Sequence, residues 1–168
     1  AEVLDNMSRE LRTATRTHLK NQVLDALARM HDAVTLPQAM VHEEIHRAQH
    51  EMAQQFGGGN QIDPHQLPAE LFRDQAERRV RLGLVLNRII EQEALEPDDE
   101  RVEALLEDIA APYGEPEQVK AWYHSQPEQM QQLRSAAVED QVIDLVLERA
   151  KVEEEASTYD EVPAASRA

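Results

Sequence analysis

The chain contains no cysteine, which excludes disulfides, thiol catalysis, iron–sulfur ligation and cysteine zinc sites. Aromatic residues make up only 4% of the 168 positions, and glycine occurs five times. A chain so poor in both, and rich in alanine and leucine, suits helices and is ill supplied for one compact core. Cations are scarce too: 17 Lys and Arg stand against 33 Asp and Glu, a formal net charge of −16. Without a basic cluster there is nothing to displace counterions from phosphate, so direct binding to nucleic acid is excluded. No apolar run approaches the roughly twenty residues that span a bilayer, and no basic-then-apolar leader opens the chain, so the reading is a soluble protein with no membrane partner. The opening Ala1-Glu2-Val3 lies directly inside an amphipathic pattern, as expected of a piece of a longer protein.

What is present is helical periodicity punctuated by proline. Five of the eight prolines, Pro37, Pro68, Pro97, Pro116 and Pro127, sit where a helix should begin, a position at which the missing N–H costs nothing. The first segment, residues 2–32, carries Leu4, Met7, Leu11 and Ala14, then Val23, Leu27 and Met30, at three- and four-residue spacing. A second helix from Pro37 places Val41, Ile45, Ala48, Met52 and Phe56 on one stripe and stops at Gly57-Gly58-Gly59-Asn60. From there to Leu67 the pattern reads as loop. A third, from Pro68 to Glu93, is apolar around most of its circumference between Val80 and Ile90 and must be covered on several sides. The fourth begins at Pro97 with Asp98, Asp99 and Glu100 at the positive end of its dipole and ends at Pro112 and Gly114. A short helix around Val119, Trp122 and Tyr123 precedes a long one from Pro127, and the acidic tail is expected to fray after Tyr159.

No segment alternates apolar and polar residues, so the fold class is all-α. Short connections favour antiparallel neighbours, the second helix against the third and the fourth against the Pro127 helix. The expected architecture is a long helix bearing two antiparallel helical-hairpin arms in a non-globular cradle: a body helix over 1–34, a first arm over 37–95, a second over 96–150 and a tail over 151–168.

His42-Glu43-Glu44-Ile45-His46 satisfies the H-E-x-x-H pattern of zinc peptidases, and His50 follows four residues on. On a helix, however, Val41, Ile45, Ala48 and Met52 share about 60° of arc, and the histidines lie at least about 80° from its centre, facing outward. A catalytic zinc wants a partly dry cleft with a third protein ligand, so no metal is assigned; His42 and His46 are candidates for adventitious capture only. The glycine run lacks the lysine and hydroxyl residue of a phosphate loop, Glu153-Glu154-Glu155 lacks the spaced oxygens of a calcium loop, and no nucleophile has a base at readable spacing. No cofactor and no catalytic residue are assigned.

Gln54-Gln55-Phe56-Gly57-Gly58, Leu67-Pro68-Ala69-Glu70-Leu71-Phe72, Gln75-Ala76-Glu77-Arg78-Arg79-Val80-Arg81-Leu82-Gly83-Leu84, Asp99-Glu100-Arg101-Val102 and Ala150-Lys151-Val152 together resemble the C-terminal substrate-binding domain of the bacterial trigger factor family. The resemblance implies a cytoplasmic, ATP-independent chaperone that cradles unfolded nascent chains, with a ribosome-docking domain and a prolyl isomerase domain elsewhere in the parent. Neither a Gly-Phe-Arg docking signature nor an isomerase segment occurs here, so neither activity is expected of this piece. Met-rich and aromatic helix surfaces can repack around dissimilar apolar partners. Substrate contacts are accordingly assigned to Met40, Val41, Ile45, Met52 and Phe56, with Phe72, Tyr113, Trp122 and Tyr123 as aromatic anchors. The family's domain body also uses a segment preceding the isomerase, so Leu4, Met7 and Leu11 are expected to be partly exposed or covered by a second copy. The zinc peptidase and a structural helical oligomerisation module are the alternatives.

Overall fold

The computed structural model describes residues 2–56 and 63–153, with side chains from residue 11 to 55 and from 63 to 153. Among the described residues six α-helices run in chain order: α1 Glu2–Met30, α2 Gln38–Phe56, α3 Glu70–Glu93, α4 Asp99–Ala110, α5 Pro116–Ser125 and α6 Pro127–Arg149. Among the described residues there is no strand. Two compact units form, one from residues 1–20 and 86–168, the other from residues 21–85.

In the second unit α2 packs on α3. Val41 and Ile45 meet Phe72, Ala76 and Val80, with Leu36 closing the cluster and Ala48, Leu67 and Leu84 packed around it. Between the helices the chain makes a 3-10 turn, Pro64–Gln66, capped by the Asp63 side chain, which accepts from His65 N at 3.0 Å. The apolar period reads this stretch as loop, because one turn of helix is too short to show a period. The turn is held to α2 by Gln49, a buried side chain whose Nε2 donates to Leu67 O at 2.6 Å.

In the first unit α4, α5 and α6 pack against one another. Val102 and Leu106 of α4 meet Leu133 and Ala137 of α6, and Leu105, Tyr123 and Met130 pack around them. The middle of α1 is tied to α6 by Arg16, donating to Asp144 at 2.9 Å, and by Lys20, 3.0 Å from Glu139 and 3.1 Å from Asp140. The predicted pairing of neighbours thus holds in both units.

The prolines are less uniform than predicted. Pro116 and Pro127 occupy the first turn of α5 and α6, but Pro37 and Pro68 supply carbonyls to the amides of Met40 and Leu71 from just outside α2 and α3. Pro97 lies one residue before the N-cap of α4, Asp98, whose side chain accepts from Glu100 N at 2.9 Å. Aspartate outcompetes proline as a cap because its oxygen can accept one of the orphan amides. At the end of α3, Ala94 has φ 48°, and Leu95 N donates to Ile90 O at 3.0 Å, a left-handed C-cap at a position usually taken by glycine. The apolar stretch of α3 is covered in part: Val80, Leu82 and Val85 are buried, and Leu84, Leu86, Ile89 and Ile90 are half-buried.

Candidate functional site

In the first unit, α5 is the element that presents aromatic surface. No residue of α5 is buried. It is docked through half-buried Tyr123 in the α4–α6 cluster, and through Lys120 and His124, which lie 3.6 Å from Glu107 and 3.5 Å from Glu103 of α4. Hydrogen bonding and attraction from Glu117, opposed by burial and aided by Glu107, hold the Lys120 ammonium above its ordinary pKa, so the cation persists. With Tyr123 turned inward, its neighbour Trp122 is turned away and stands 52% exposed, its ring edge-to-face on Tyr123 at 5.1 Å. Tyr113, just past α4, is 58% exposed.

In the second unit Met40 and Met52 are exposed, as are Met30 and Leu71. The open stripe expected of α2 is corrected in part. Val41, Ile45 and Phe72 are buried in the hairpin, at 0%, 4% and 4% exposure, because α3 brings its own apolar face to the same stripe. They shape the hairpin and do not meet solvent. The side chain of Phe56 lies outside the described residues, as do those of Leu4 and Met7; Leu11 is exposed. Leu71, 73% exposed, is not among the contacts assigned from the sequence, although a helical wheel flags it: it lies about 140° from the centre of the Phe72, Ala76 and Val80 stripe.

Charge frames these surfaces. Buried Glu44 accepts from Arg79 Nη1 at 2.8 Å and from Arg47 Nη1 at 2.9 Å, joining α2 to α3. An open groove of about 480 Å³ is lined by two carboxylates, Asp25 and Asp32, and three guanidinium groups, Arg29, Arg78 and Arg81; Arg78 bonds Asp25 and Arg81 lies 3.4 Å from Asp32. In the first unit, burial alone would raise the Asp144 carboxyl, but hydrogen bonds from Arg101 and Arg16 outweigh it and hold it below the ordinary value. Burial likewise opposes the Lys20 charge, and Glu139 and Asp140 overcome it, so its pKa is raised.

His42 and His46 are both exposed, as the wheel required. Among the described residues, the group of three with metal-ligand spacing is His46, His50 and His65, which leaves out His42.

The sequence comparisons bear on which of these features matters. A profile described as "Bacterial trigger factor protein (TF) C-terminus" matches residues 1–148. The chain belongs to that family. It is 48% identical over 159 residues to a trigger factor of Alcanivorax borkumensis, covering 95% of this chain and 36% of that protein. To a trigger factor of Stutzerimonas stutzeri it is 47% identical over 161 residues, covering 96% of this chain and 36% of that protein. The chain thus spans about a third of the length of the curated relatives it matches. No helix of the described residues is long and apolar enough to cross a membrane.

Proposed function

We propose that this chain is the client-binding part of a trigger factor, a chaperone domain that holds exposed apolar segments of unfolded polypeptides without ATP and without a reaction of its own. The observation that carries the reading is the family match over residues 1–148. The geometry supports it by offering separate exposed anchors, Tyr113 and Trp122 in one unit and Met40, Met52 and Leu71 in the other, on helices stabilised by their own cores. Several weak apolar contacts on one scaffold bind an extended chain by multivalency, yet each releases quickly. Val41, Ile45 and Phe72 serve as the packed backing of the α2–α3 hairpin, and half-buried Tyr123 seats α5 so that Trp122 faces out.

In the whole protein, ribosome docking and prolyl isomerisation belong to other domains, and the site of action is the cytoplasm. Exposed Leu11 is the surface proposed for contact with a second copy. The test is aggregation of a chemically denatured client diluted into the chain, followed by light scattering alongside Trp122 fluorescence. Slower scattering together with a saturable fluorescence change is the expected result. Unchanged scattering at excess chain would overturn the reading.

A further inference from the structure

We propose that His46, His50 and His65 form a three-histidine site for a late first-row divalent cation such as Zn²⁺. Two of the rings come from successive turns of α2, four residues apart and so on one helix face. The third comes from the 3-10 turn, which the chain reaches only after leaving α2. Ring centroids lie 4.5 Å apart for His46 and His50, 5.1 Å for His46 and His65, and 6.1 Å for His50 and His65. One ligand nitrogen from each falls within 4.8 Å of the others.

A tetrahedral zinc with bonds of about 2.0–2.1 Å needs nitrogens roughly 3.4 Å apart. The gap to be closed is therefore small, and exposed His46 and His65 are free to turn at χ1 and χ2.

Two contacts outside the ligands set this geometry. Gln49, adjacent to His50 and buried, donates to Leu67 O at 2.6 Å, two residues beyond His65. Asp63 accepts from His65 N at 3.0 Å and fixes the turn that carries the ring. The turn is thus pinned to α2 by protein contacts, which bring the third imidazole to the other two. Three neutral imidazoles prefer Zn²⁺, Ni²⁺ or Cu²⁺ to Mg²⁺ or Ca²⁺, which favour oxygen. A bound ion would leave a fourth position for water and would fasten the turn to α2.

This site differs from the H-E-x-x-H pair in its ligands, which makes the assignment decidable. The experiment is calorimetric titration of the tag-free chain with ZnSO₄ at neutral pH, repeated on H65A, H46A, H50A and H42A, with helicity checked by circular dichroism. Loss of even an outer-shell partner weakens metal binding about 10- to 100-fold, and loss of a direct ligand does at least as much. The expected result is one Zn²⁺ per chain, weakened at least about tenfold in H65A, H46A and H50A and within about twofold in H42A. Absence of saturable binding overturns the site, as does binding that survives H65A or that falls equally in H42A. If H65A lost helicity, H46A and H50A measured against H42A would still decide.

Discussion

Replacing Trp122 with alanine separates client binding from folding. The side chain is 52% exposed on a helix with no buried residue, so the fold draws little on it. A tryptophan offers about 150–250 Å² of surface; roughly half of that, ~80–130 Å², is open to a partner. At about 25 cal/mol per Å² complete burial would contribute ~2–3 kcal/mol. A client covers one face of the ring and loses about 0.5–1.5 kcal/mol ordering each side chain it brings, which leaves a net ~1–1.5 kcal/mol, or about a tenfold change in Kd. The assay is titration of a permanently unfolded, fluorescently labelled polypeptide into W122A and the parent chain, with a urea melt of each. Binding should weaken about tenfold, while stability changes by less than about 1 kcal/mol. A change in Kd below about twofold for W122A, and again for the Y113A/W122A double variant, would refute the assignment of this surface.

L106A should do the converse, since Leu106 is fully buried between α4 and α6: about 2–5 kcal/mol of stability is lost, read as a lower urea midpoint. A94G should raise stability by about 1 kcal/mol, because Ala94 holds a left-handed φ of 48° that costs a side-chain-bearing residue roughly that much; an unchanged melting temperature would count against the C-cap geometry. Stability of the first unit should also depend on pH at both extremes. Asp144 has its pKa lowered, so its contribution is complete above the ordinary carboxylate range and is lost as pH falls through the lower folded value. Lys20 has its pKa raised, so its contribution is complete below the ordinary lysine range and is lost as pH rises through the higher folded value. D144N should flatten the acid side of a urea-midpoint profile, and K20M the alkaline side.

The chain by itself determined the helices, their order and the neighbours they choose. Apolar residues recur at three and four positions over long segments, and prolines with an aspartate cap mark the starts, so local pattern marks out each helix, although packing supplies most of its stability. It also determined that His42 and His46 face outward, since their wheel positions follow from Val41 and Ile45 alone. Tertiary structure decided which apolar stripes remain open. Val41, Ile45 and Phe72 have the same periodic signature as an exposed binding stripe, and only the arrival of α3 on α2 distinguishes filled from open. It decided the histidine group as well: His65 lies fifteen residues beyond His50, and no spacing rule brings it back. The Gln49 bond to Leu67 O and the Asp63 cap place it there. Periodicity is a one-dimensional signal that reports which side of a helix is apolar. What covers that side, and which distant ring joins it, depends on contacts between segments far apart in the chain.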